Sequence, residues 1–158
     1  MGLFSSIDIA SSGLTAQRTR QDVIADNIAN ANTTRTTEGG PFRRSRAIFA
    51  PRSESQQPVW RSSFLPQALD SGRAGAGDGV RLVDIEKDMD SEPRMVYDPT
   101  HPDAIQDGER EGYVEMPNVN IVDEMVDLIS AARSYEANTR VVDGARSMFQ
   151  SALDIGRT

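Results

Sequence analysis

The chain has 158 residues, room for one domain with at most a small appendage. It is 37% hydrophobic and 6% aromatic, carries a net charge of −7 and contains no cysteine. The low apolar share makes a large monomeric core hard to build, the acidic balance argues against a nucleic-acid partner, and the missing thiols exclude disulfides, zinc-thiolate centres and cysteine nucleophiles.

All eight prolines lie between Pro41 and Pro117, so both ends of the chain are free of them. At the N-terminal end, Leu3, Ile7, Ala10, Leu14, Gln17, Gln21, Ile24, Ile28 and Ala31 keep a 4-3 spacing, and seven of these nine are apolar. That spacing predicts an amphipathic, coiled-coil-like helix over 3–31. Ser5 or Ser6 is expected to cap its start. Asn30, Asn32, Thr33 and Thr34 offer the side-chain-to-backbone bonds that end helices. Gly13 costs about 1 kcal/mol relative to Ala, so the helix needs a partner to become ordered. No Arg or Lys precedes Arg18, which argues against a cleaved secretory signal. No apolar run approaches the roughly 20 residues of a membrane span.

Gly39, Gly40 and Pro41 break the pattern. The middle, 38–117, is expected to be a small β-rich insert with strands over 42–50, 80–85, 94–97 and 112–116. Residues 52–79 are rich in Ser, Gln, Pro and Gly, hold Trp60, Phe64 and Leu65, and read as a long surface excursion. Charge is uneven along the chain. Residues 71–116 carry twelve acidic and five basic side chains, whereas Arg43, Arg44 and Arg46 form the one basic cluster, read as a solvated edge.

Pro117 stops the insert. Asn118 or Asn120 is expected to cap a second helix, with Asp123 and Glu124 at its positive end. The spacing then runs Ile121, Met125, Leu128, Ala132, Tyr135, Thr139, Val142, Arg146, Phe149 and Leu153, and eight of these ten are apolar or aromatic. This predicts a helix over 121–155, a rod of roughly 50 Å. The fold class is therefore α+β: two long terminal helices pairing as an antiparallel coiled-coil-like stalk around a β-rich insert, in three segments, 1–37, 38–117 and 118–158. Gln17, Gln21, Thr139 and Arg146 interrupt the stripes, as polar residues do where register matters.

Chemistry is sparse. His101 is the single histidine, and DPTHPD reads as a proline-stiffened turn rather than a metal site. The acids Asp84, Glu86, Asp88, Asp90 and Glu92 lack the glycine and closing glutamate of a calcium loop. One histidine supports no Ser-His-Asp arrangement, and GRAGAGDG does not lead from strand to helix. No enzyme activity and no cofactor are expected.

The start SSIDIASSGLTAQRTRQDVIADNIANANTTRT resembles the N-terminal signature of the bacterial flagellar axial proteins, the rod, hook and hook-associated subunits. Their shared A-N-N-x-A-N-x-x-T core matches Ala25 to Thr33, with Asp26 where asparagine is commoner. The block from Gly112 to Thr158, and the DPTHPDA turn, are similar to proximal-rod subunits of that family. The resemblance implies a subunit exported by the flagellar type III apparatus. It further implies a periplasmic location and packing with copies of itself and with proximal-rod, distal-rod and rod–MS-ring adaptor proteins, without membrane insertion. The residues expected to carry packing are Leu3, Ile7, Leu14, Ile24, Asn27, Ile28, Asn30, Ile121, Met125, Leu128, Ala132, Tyr135, Val142, Phe149 and Leu153, with Asn27 and Asn30 serving register. A different rod protein, a hook-type subunit and a membrane-surface protein using its first helix are the rival readings. The short middle disfavours the hook-type subunit, and the lack of a Lys/Arg-rich polar face disfavours the membrane-surface protein.

Overall fold

The computed structural model describes residues 3–52 and 79–156. The excursion expected around Trp60, Phe64 and Leu65 lies outside the described residues. Helix α1 spans Leu3–Ala29, strands β1 Ser45–Pro51, β2 Val80–Lys87, β3 Arg94–Tyr97 and β4 Tyr113–Met116, and helix α2 Ile121–Ile155. This is the expected α+β order. Strands β1 and β2 form one two-stranded sheet, β3 and β4 another. Among the described residues, no helix is long and apolar enough to cross a membrane.

Contacts divide the chain into two compact units, the described parts of Met1–Ala16, Phe49–Leu82 and Tyr135–Thr158, and those of Gln17–Ile48 and Val83–Ser134. In the first, α1 approaches α2 closely at Gly13: a Cβ there would stand 2.9 Å from Asn138 Nδ2. The sheet is anchored beside them. Arg52 N–H donates to Gly79 O at 2.8 Å, Val80 N–H to Ser12 Oγ at 3.1 Å, and Ser12 Oγ–H to Ile9 O at 2.7 Å. Gly79 sits at φ +94°, and an added Cβ would collide with the Ser12 hydroxyl. The buried apolar residues described in this unit are alanines: Ala10, Ala16 and Ala145. Alanine burial contributes only about 0.8 kcal/mol per methyl-sized group, so the described residues of this unit supply little core.

In the second unit α1 and α2 run antiparallel, since Arg20 meets Asp127 and Asn27 meets Glu124. Val23, Ile24, Ala31, Val114, Val119 and Ala131 are its buried apolar residues. Strands β3 and β4 are antiparallel, with Arg94 opposite Met116 and Tyr97 opposite Tyr113. Arg44 O accepts from Asp88 N–H at 2.8 Å, joining the start of β1 to the end of β2.

The helix ends differ from expectation in one respect. Ser5 and Ser6 lie inside the first turn of α1, because Leu3 and Phe4 have no helix-breaking feature and the helix starts before the serines. Asn30 does close α1: its Nδ2 donates to Asp26 O and Asp26 Oδ1, both at 3.0 Å. At α2, Asn120 is the cap. Its Oδ1 accepts from Val122 N–H at 3.1 Å and its Nδ2 donates to Asp123 Oδ2 at 2.8 Å.

Replacing Gly79 by Ala places a side chain at positive φ and against Ser12. We expect a loss of about 1–3 kcal/mol in unfolding free energy and faster amide exchange at Arg52 and Val80. Unchanged exchange at these two amides would contradict this account of the anchor.

Candidate functional site

The buried side of α2 does not follow its stripe of large apolar residues. On α2 the fully buried positions are Glu124, Ala131 and Ala145, each one residue before Met125, Ala132 and Arg146 of the expected stripe. Asn138, one before Thr139, is the residue that meets Gly13. On α1, Arg20 and Asn27 bond to α2, and Ala10 and Ile24 of the expected stripe are buried. The reason is steric and polar together. Ala131, Ala145 and Gly13 permit close helix approach, and a hydrogen-bonding partner for Asn27 must lie on the same face.

Of the residues expected to carry packing, Ile24 and Asn27 are buried. Ile7, Leu14, Ile28, Asn30, Leu128, Ala132 and Val142 are partly buried. Leu3 opens α1. Ile121, Met125, Tyr135, Phe149 and Leu153 are exposed, together with Val122, Val126, Ile129, Val141, Met148 and Ile155.

The largest fully buried side chains include Glu124 and Asn27, each 1% exposed. They sit at the junction of α1, β1 and α2. Asn27 Oδ1 accepts from Ser45 N–H at 2.8 Å, and its Nδ2 donates to Ser45 O at 2.9 Å. The carboxamide thus pairs with the first residue of β1 as a neighbouring strand would. The second Nδ2 hydrogen reaches Glu124 Oε2 at 3.2 Å. This pattern fixes the amide orientation, since the flipped group would face Ser45 N–H with a donor.

Arg44 Nε donates to the other carboxylate oxygen of Glu124 at 2.6 Å, and its Nη2 lies 3.7 Å from Asp127 Oδ2. Asp127 Oδ1 accepts from Arg20 Nη2 at 3.1 Å. A buried carboxylate needs such partners, because an unpaired one costs several kcal/mol. The outer Arg20–Asp127 pair is about 40% exposed (38% and 41%) and adds little by itself. The arginine cluster is therefore not simply a solvated edge. Arg44 binds Glu124, Arg43 Nη1 donates to Ser91 O at 2.8 Å, and only Arg46 is exposed. Glu124 was legible only as a helix-start acid. Its role depends on Arg44, 80 residues away, and on Asn27, 97 away.

The DPTHPD turn is bonded within itself and to Thr34. Thr100 Oγ1–H donates to Asp98 Oδ1 at 2.7 Å, Asp103 N–H to His101 Nδ1 at 3.1 Å, and Thr34 Oγ1–H to Asp103 Oδ2 at 2.7 Å. The Thr100 hydroxyl and amide hold the Asp98 carboxyl below its ordinary value. Among the described residues no group of His, Asp and Glu is arranged to hold a metal. What the Asn27–Glu124 junction does is structural: it holds two helices and a strand in one register.

Two family models match the chain. Residues 7–35 match that of the flagella basal body rod proteins, and residues 110–155 that of the C-terminal region of flagellar basal body rod FlgEFG proteins. The flagellar basal-body rod protein FlgC of Borreliella burgdorferi is 58% identical over 98% of both chains. That of Bacillus subtilis is 42% identical over 99% of this chain and all of its own, and that of Escherichia coli O157:H7 is 34% identical over 99% and 100%. These matches define a flagellar rod protein. The chain belongs to the FlgC family of basal-body rod proteins.

Asn27→Ala leaves both polar groups of Ser45 and one Glu124 oxygen without this partner. We expect a loss of about 1–3 kcal/mol, read by thermal or urea unfolding, with coupling to Glu124→Ala in a double-mutant cycle. Strict additivity would show that the junction is not a unit. A lowered Asp98 value means its contribution is present above the ordinary carboxyl range and is lost as pH falls through the lowered value. Thr100→Ala should accordingly raise the Asp98 midpoint in a carboxyl NMR titration; an unmoved midpoint would rule out the hydroxyl as its cause.

Proposed function

We propose that the chain is a non-enzymatic structural subunit of the flagellar basal-body rod, built into its proximal part in the periplasm. The observation that carries this reading is the exposed apolar side of α2. Val122, Met125, Val126 and Ile129 lie within eight residues of one another, and Val126 alone is 62% exposed. A contiguous apolar surface on a long helix is a surface for other proteins. The buried side of the same helix is already occupied, by small residues and by the Asn27–Glu124 junction.

In this reading the inner face of α2 pairs with α1 of its own chain. The outer face packs against copies of the chain and against other proximal-rod, distal-rod and adaptor proteins. Torque passes through those packed faces. Delivery is by the flagellar type III export apparatus, in keeping with the family, and the packing residues named above divide between the two faces.

Substitution separates them. Val126→Asp changes an exposed position, so the isolated protein should keep its stability within about 0.5 kcal/mol. Incorporation into purified basal bodies, and swimming, should nevertheless be lost. Ile28→Asp and Leu128→Asp should also abolish incorporation, while amide protection in β3 and β4 persists. Normal swimming by cells carrying Val126→Asp as their sole copy would refute the assignment of the outer face.

A further inference from the structure

A groove of ≈ 430 Å³ opens beside the β3–β4 hairpin, lined by Tyr97, Pro99, His101, Gln106 and Glu111 among others. Tyr97 ends β3, and its ring stands 5.2 Å from that of Tyr113 at 65°, an edge-to-face pair. Gly112 lies under one side of the ring: a Cβ there would come 2.9 Å from Tyr97 Cε2. These contacts fix the ring yet leave Tyr97 65% exposed. An aromatic side chain pinned and left open to solvent is a ready stacking surface.

The electrostatic setting selects the occupant. Between residues 97 and 113 there are five carboxylates and one arginine. Asp98 and Asp103 are committed to Thr100 and Thr34. The Glu111 carboxylate has no hydrogen bond or ion pair among the described residues, and it lines the groove. A bare ring with a free carboxylate beside it, in a field of uncompensated negative charge, suits a cation. Guanidinium fits better than ammonium, because its plane stacks on the ring while its fork meets the carboxylate. A neutral sugar would use the ring and draw nothing from the charge.

We propose that this groove receives an arginine side chain presented by a neighbouring subunit of the rod, an inference that rests on the rod reading above. Tyr97 stacks on the guanidinium and Glu111 pairs with it.

The test has a binding arm and a cellular arm. Labelled full-length protein is titrated at low salt with N-acetyl-arginine amide, and in parallel with the uncharged isostere N-acetyl-citrulline amide and with N-acetylglucosamine. Saturable shifts of the Tyr97 ring and Glu111 signals are expected with the arginine probe, and about fivefold weaker binding or less with either neutral probe. Tyr97→Leu and Glu111→Gln should each weaken the arginine probe by about the same factor. Equal response to citrulline or to the sugar, no response to arginine, or indifference to both substitutions would overturn the proposal. In cells, both variants should lower occupancy in purified basal bodies relative to the unsubstituted chain. If the variants and the unsubstituted chain are incorporated equally, the groove proposal fails and the rod reading stands. If the unsubstituted chain is itself absent from basal bodies, the rod reading fails.

Discussion

The carboxamide of Asn27 holds together three pieces of chain that have no covalent reason to meet. It pairs with both backbone groups of Ser45 and with the carboxylate of Glu124, so the end of α1, the start of β1 and the first turn of α2 share one group. Each such bond adds only about 0.5–1.5 kcal/mol net. Its importance lies in direction. An apolar residue at position 27 tolerates several rotations of the helix, whereas the amide is satisfied in one. With Arg44 closing the other side of Glu124, the junction sets the helix faces before any apolar contact is counted.

That constraint explains why the large apolar residues of α2 remain outside. Glu124 in one unit and Asn138 in the other meet α1, and Ala131 and Ala145 are the buried apolar residues of the helix. Met125 and Phe149 stay exposed, as do Val122, Val126 and Ile129. On α2 the usual arrangement is partly inverted, with Glu124 and alanines buried and large apolar residues exposed. For a subunit this division is economical. On the reading proposed above, the internal contacts determine shape, and the non-directional outer face suits neighbours that differ in sequence.

Much of this architecture was legible from the residues. The confinement of proline to 41–117 marked the helical ends, and the span expected for the second helix, 121–155, is that of α2. Strand β3 was recognisable as the alternating RMVY. What was not legible was the phase of α2; on α1, Ala10 and Ile24 of the expected stripe are buried. A 4-3 count ranks residues by greasiness, and at Ile28/Asn27 and Met125/Glu124 the less greasy neighbour wins, because its partners come from Ser45 and Arg44. No local pattern encodes a bond across 97 residues. Asn27 was singled out through the motif around it, which suggested a register role without revealing the backbone of Ser45 as its target. Arg44 read as solvated because the acid it neutralises lies in another segment.

Charge adds a last constraint on how such a chain can meet its neighbours. Residues 83–116 hold eleven acidic side chains and three basic ones. Two copies of that surface brought face to face repel, and the repulsion grows as packing excludes water and salt. In an assembly of like subunits this region must therefore face solvent or a cationic surface. The apolar side of α2 bears no such restriction, because its exposed positions Val122, Val126 and Ile129 are uncharged. On the reading proposed above, cohesion between copies then falls to the helices rather than to the acidic insert.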